Sequence, residues 1–208
     1  MKRKILREKE KKMITNYLDK IPAVDPEAVI FRTADVIGDV TVGAESGIWF
    51  GAVVRGDVNT IKIGRRTNIQ DNATIHVTTA LYPTVIGDDV TVGHNAVIHG
   101  SVIGDNVLIG MGAVVLDGCK IGKNSIIAAN SIVLGGTEIP EGVLVAGNPA
   151  KVRRTVTAEE IEGLRKSAEN YARYARNYLT SSKDSIYSSS DMKRIIESLT
   201  SDKSGGLK

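Results

Sequence analysis

The sequence predicts an all-β fold, a narrow three-sided prism of parallel strands with one C-terminal α-helix packed along it. Two regularities and one compositional fact carry that expectation. Aliphatic residues fall at 42, 48 and 54, at 63, 69 and 75, at 86, 92 and 98, and then at 103, 109, 115, 121, 127, 133, 139 and 145. The position two before each is small or compact, as at Ser46, Ala52, Thr67, Ala73, Ala96, Ala113, Cys119, Ser125 and Ser131. A helix would repeat at about 3.6 residues and a half-buried strand at about 2. Spacing by six instead fits a coil whose turn takes three units, about eighteen residues, with turns stacked by backbone hydrogen bonds about 4.8 Å apart. Aromatics are only 4% of the chain against 21 glycines, so the core must be built from Val, Ile and Ala.

In chain order, residues 1–19 read as a basic helical arm, with Met13, Ile14, Tyr17 and Leu18 on one face. Seven Lys and Arg stand there against two Glu and one Asp. The β-helix domain is expected over 20–153. It begins with an extended connector, Ile21 to Pro26, because each Pro biases its predecessor away from helix. The repeat slips three times. Three residues are added between Val54 and Ile63, and five between Ile75 and Ile86, with Thr78 to Pro83 as an external loop. One residue is missing between Ile98 and Ile103. Gly147-Asn148-Pro149-Ala150-Lys151 closes the prism, since Pro cannot donate to another rung. Thr157 and Glu160 form a capping box at the start of a helix over 155–180. Its packed face is Ile161, Leu164, Ala168, Tyr171, Ala175 and Tyr178. Residues 181–208 are Ser-rich and expected to be flexible, with at most a short helix through Met192, Ile195, Ile196 and Leu199.

Bulk properties exclude several classes of function. A net charge of +3 is too small to imply a nucleic-acid partner. The single cysteine, Cys119, rules out an internal disulfide, fits a reducing compartment and falls at an inward position. No apolar run is long enough to span a membrane, and the N-terminus lacks the apolar stretch of a secretory signal. The expected compartment is the cytoplasm.

Counting repeat units turns the pattern into a site. His76, His94 and His99 are the only histidines. His76 and His99 each directly follow a core aliphatic, Ile75 and Ile98, one full turn apart. Arg55 follows Val54 a turn earlier, so one outward column reads Arg55, His76, His99. His94 sits two after Val92 on another edge, in a column that reads Asp71, His94, Met111. One chain cannot bring the two edges together, whereas a threefold assembly sets one copy's first column against the next copy's second. Arg55 then faces Asp71, and His76 with His99 faces His94. Three imidazoles with an open fourth position make a tetrahedral zinc site of the catalytic kind. Met111 reads as packing rather than a ligand, and Trp49 and Phe50 as cover for the interface.

With these residues in hand, the sequence resembles the γ-class carbonic anhydrases, hexapeptide-repeat proteins with a left-handed parallel β-helix. The resemblance rests on Trp49 to Asp57 (WFGAVVRGD), on Ile63 to Asp71 (IGRRTNIQD), on His76, and on Val92 to Gly100 (VGHNAVIHG). It covers residues 20 to 180, and it alone supplies the handedness. It implies a homotrimer in which His76 and His99 of one subunit and His94 of the next bind Zn2+, with Fe2+ or Co2+ as alternatives. It implies reversible hydration of carbon dioxide to bicarbonate by a metal-bound hydroxide. Gln70 and Asn68 match the polar pair that positions water and substrate, Arg55 and Asp57 the charges that organise the interface, and Asp71 the salt-bridge partner. Tyr171 is placed to close the site.

Two departures stand out. Val77 to Val85 contains no Asp or Glu, where the best-studied members carry proton-exporting carboxylates, and Val58 follows Asp57 where they have a second acid. Regenerating the hydroxide then falls to Tyr82, Tyr171 or buffer. Two other readings stay open: a trimeric scaffold stapled by metal without catalysis, and a hexapeptide-repeat acyltransferase using one His as base.

Overall fold

The sixth-residue aliphatics point inward and exclude water, and their three columns define the three sides of the molecule. Val54, Ile75, Ile98 and Val115 line one side, Ile63, Ile86, Ile103 and Ile121 the second, and Ile48, Ile69, Val92 and Ile109 the third, all buried. Fully burying a side chain of this kind is worth about 1.5–3 kcal/mol, so the stack itself is the main support of the fold. In the computed structural model, which describes residues 14–201, the chain winds into about seven turns of a parallel β-helix with a C-terminal helix.

Strand pairing follows the unit count. On the first side Val36 pairs with Val54, Val54 with Ile75, Ile75 with Ile98, Ile98 with Val115, and Val115 with Val133. On the second side Ile63 pairs with Ile86, Ile86 with Ile103, Ile103 with Ile121 and Ile121 with Ile139. The extra residues between Val54 and Ile63 make no loop. They form one continuous strand, Val53–Ile63, that bends from the first side to the second. The other insertion does leave the coil: Thr78 and Tyr82 bridge each other, and Leu81 is exposed at its tip. The small inward residues also tie turns together. Ser46 Oγ donates to the Gly64 carbonyl and Thr67 Oγ1 to the Gly87 carbonyl, each at 2.7 Å. Cys119 is buried as expected, and burial pushes its thiol pKa up.

The helix Ala158–Ser181 (α1) begins at the expected capping box. Thr157 Oγ1 accepts from the Glu160 amide, and the Glu160 carboxylate accepts from the Thr157 amide. Leu164, Ala168, Ala172 and Ala175 face the coil, and α1 lies over the strands Gly47–Ile48, Asn68–Ile69 and Thr91–Val92 of the third side. Ile161, Tyr171 and Tyr178 sit half-buried at its margins.

Two expectations about the ends need correction. Most of the basic arm, residues 1–13 with Met13, lies outside the described residues. Where the description begins, Ile14–Thr15 is a strand rather than helix, pairing with Val36 and Ile37, and Ile14 is fully buried. Leu18, placed on the same helical face, is exposed. The Ser-rich segment, expected to be flexible, is also structured through residue 201, and the short helix expected through Met192, Ile195, Ile196 and Leu199 is present within it. Ile186–Tyr187 pairs antiparallel with Val29–Phe31, and a second helix, Ser189–Ser201 (α2), joins Met192 to the core with Ile195 and Ile196 packed against it, Leu199 also being buried. Arg32 ties this segment down through Asp191 at 3.4 Å. At the opposite end Ala150–Thr155 folds back antiparallel on Val143–Gly147. Both terminal rungs of the third side therefore carry an antiparallel strand.

Candidate metal centre

The first edge gathers four of the expected residues. His76 and His99 stand side by side on adjacent rungs, with His76 Nδ1 facing His99 Nε2 at 2.9 Å and ring centroids 4.9 Å apart. The outer nitrogen of each ring meets a carboxylate: His76 Nε2 lies 3.0 Å from Asp57 Oδ1, and His99 Nδ1 lies 2.8 Å from Asp117 Oδ1. Arg55 donates to the other oxygen of Asp57. Burial pushes the Asp57 carboxyl up, but the hydrogen bonds from His76 and Arg55 outweigh it and hold the pKa below the usual carboxylate range. Asp117 follows the same logic, with burial opposed by His99 and Thr78.

The second edge holds His94 and Asp71. Val92 pairs with Ile69, which puts the two side chains on neighbouring rungs, and His94 Nδ1 meets Asp71 Oδ2 at 2.9 Å. Asn72 and Asn95, each next in sequence, take the left-handed conformation at φ +59° that turns this corner, a conformation Asn tolerates. Beside His94 lies a groove of about 440 Å³ walled by Trp49, Phe50, Tyr171, Tyr174 and Tyr178. The aromatic rings pack on one another, with Trp49 edge-on to Tyr171 at 5.6 Å. Tyr171 lines the rim of this groove; burial raises its phenol pKa, and the Asp71 charge adds to the rise. Asn68 and Gln70 are buried on the strand leading to Asp71, where Gln70 Nε2 donates to Asn68 Oδ1 at 3.0 Å and Asn68 Nδ2 to Thr91 Oγ1 at 3.0 Å.

The structure brings together Arg55, Asp57, His76 and His99 on one edge, and Asp71, His94 and Tyr171 on the other. It does not bring the edges together within one chain. Among the described residues no three of His, Cys, Asp or Glu converge on a common metal position. In the single chain Arg55 pairs with Asp57 and Asp71 with His94. Met111 is exposed, so it packs in no core of its own chain.

The donor set fits a cation. If Asp57 and Asp117 each accept an N–H, the nitrogens left facing each other at 2.9 Å both present lone pairs. Two lone pairs at that distance repel unless a positive centre lies between them. Zinc bound tetrahedrally at about 2.0–2.1 Å would place two imidazole nitrogens about 3.4 Å apart, so a small parting of the rings admits the ion. His94, with Nδ1 engaged by Asp71, keeps Nε2 for the same use. Each of the three rings is held by a carboxylate on one nitrogen, the usual arrangement of metal-binding histidines, and the other nitrogens of His76 and His99 face each other. Asp117 escaped the sequence reading. It lies two residues beyond Val115, one rung on from His99, and the unit count would have found it had that position been followed.

Comparison with known proteins identifies the family. The family model described as bacterial transferase hexapeptide (six repeats) matches residues 83–116 and 100–135. The chain is 46% identical over 168 residues to "Gamma carbonic anhydrase 1, mitochondrial" of Arabidopsis thaliana, covering 78% of this chain and 61% of that protein. It thus spans about three fifths of the plant relative's length. It is 40% identical over 166 residues to a "Carbonic anhydrase" of Geobacillus kaustophilus, covering 80% of this chain and 91% of the relative. Among solved structures, a hexapeptide transferase family protein from Anaplasma phagocytophilum superposes with a TM-score of 0.76 at 43% identity, over 79% of this chain and 96% of that one. With two thirds or more of a bacterial relative covered at this identity, the chain belongs to the γ-class carbonic anhydrase family of hexapeptide-repeat proteins.

Proposed function

We propose that the protein is a homotrimeric carbonic anhydrase that interconverts carbon dioxide and bicarbonate at a metal held between subunits by His76 and His99 of one copy and His94 of the next. The observation that carries this reading is the shared state of the three imidazoles, each braced by a carboxylate on one nitrogen, with the other nitrogens of His76 and His99 turned toward each other at 2.9 Å. A zinc ion held by such a set would lower the pKa of water to about 7, the magnitude characteristic of carbonic anhydrase.

The chain's own residues do the rest. Asp57, Asp71 and Asp117 fix the rings and keep the lone-pair nitrogens turned to the metal. Asn68 holds the Gln70 amide, leaving Gln70 an N–H and a carbonyl oxygen to orient water or substrate. Trp49, Phe50 and Tyr171 give the apolar substrate a wall beside His94. Asp71 has a second oxygen to accept from Arg55 of a neighbouring copy. Tyr171, with its pKa raised, keeps its proton at neutral pH and acts as a donor rather than a base that exports protons. With no acid between Val77 and Val85, proton export then falls to buffer.

The test is metal analysis of purified protein together with stopped-flow hydration at varied buffer concentration. Bound metal, with a rate that climbs as buffer is raised and vanishes on chelation, is the expected result. Metal without hydration at any buffer concentration points to the stapled scaffold. The transferase name of the Anaplasma relative keeps acyl transfer as the rival enzyme reading, and acetyl-CoA binding in the absence of metal would favour it.

A further inference from the structure

We propose that Asp117, held in turn by Thr78, is a positioning residue that sets the His99 imidazole for metal binding; this rests on reading His76, His94 and His99 as the ligands. Asp117 Oδ1 accepts from His99 Nδ1 at 2.8 Å and from Thr78 Oγ1 at 2.7 Å. Two donors on one oxygen, one of them from the external loop, fix that oxygen on the far side of the His99 ring. With Nδ1 occupied as a donor, the lone pair of His99 is confined to Nε2, the nitrogen that faces His76. The carboxylate also makes the ring a more basic ligand.

The corner is shaped for this contact. Gly100, directly after His99, has φ +52°, and a Cβ there would collide with Asp117 Oδ1. The loop folds over the same spot, with the Tyr82 ring 3.1 Å from where a Cβ of Gly118 would stand. A similar glycine–carboxylate contact occurs on another corner, between Gly87 and Asp105. There the carboxylate caps the Asp88 backbone amide, which is a purely structural duty. At Asp117 the same device has been turned to two side chains, one of them a proposed ligand. Asp57 and Asp71 brace His76 and His94, so Asp117 completes the set.

The experiment uses the full-length protein and zinc alone as probe, titrated against a chromophoric chelator. Asp117→Ala should weaken zinc binding about 10–100-fold. Asp117→Asn, which can still accept from His99, should lose less, and Thr78→Val less again. Asp105→Ala should match wild type. In metal-free protein the nitrogen-15 signals of His99 should report a proton on Nδ1 in wild type and a shift toward Nε2 in Asp117→Ala. A merely structural role would not move that signature. If Asp117→Ala fails to fold, Thr78→Val carries the same two readouts. Wild type that binds no zinc would overturn the metal reading and the brace with it. Zinc bound equally well by wild type and Asp117→Ala, or a His99 tautomer indifferent to the change, would overturn the brace alone.

Discussion

The earlier and later turns of the coil share one interior and differ along the same two edges. After each buried aliphatic of the first side stand Arg55, His76 and His99, and then, further along, Leu116 and Leu134. Two residues after each aliphatic of the third side stand Asp71 and His94, and then Met111 and Ala129. Inside, nothing changes: Val54, Ile75, Ile98, Val115 and Val133 are equally buried. The scaffold is therefore specified by the inward positions alone, and the outward columns are free to carry chemistry in one stretch and apolar surface in the next.

The comparison can be broken in several places. The largest expected effect is on the histidine edge: His94→Ala should abolish zinc binding and cut hydration at least about 100-fold, while the far-UV spectrum stays that of the intact coil. An unchanged metal content would sink the site. Next come the inward positions, which ought to behave alike in both stretches. Ile98→Ala, beside the site, and Ile127→Ala, well past it, should each cost about 2–5 kcal/mol in denaturant unfolding. A large gap between the two would mean that the turns are not equivalent. The helix over the earlier turns supplies a smaller effect. Thr157→Ala should remove about 1 kcal/mol by unmaking the cap. Its partner Glu160 has a pKa lowered to about 2, first by Arg154 and then by the Thr157 amide. That contribution is complete above the unfolded value near 4.5 and fades as the pH drops toward 2, so acid unfolding should be less steep in Glu160→Gln. Smallest of all, Met111→Ala on the exposed edge should leave single-chain stability within about 0.5 kcal/mol and zinc binding intact.

Much of this architecture could be read from the residues, because few backbones other than a three-sided coil repeat every six residues with a compact partner at each step. The two columns were equally legible, since position within a unit fixes the edge on which a side chain emerges. What escaped had non-periodic causes. Ile14–Thr15 looked helical because basic neighbours dominate its window, yet a buried strand position outweighs local propensity. Ile186 and Tyr187 lay hidden in a Ser-rich stretch whose composition suggests solvent, whereas the short helix after them, with Met192 and Leu199, was legible. The unit count places Asp117 one rung on from His99; what it does not give is the Thr78 hydrogen bond, which depends on how the Thr78 to Pro83 loop folds.

The two antiparallel strands at the ends of the third side have one more consequence. A parallel solenoid otherwise finishes in a row of open amides and carbonyls on which another copy can continue the winding, and the outcome is a filament. Ile186–Tyr187 and Ala150–Thr155 run the wrong way for that continuation. End-on growth is thus capped along this side of the coil at both ends.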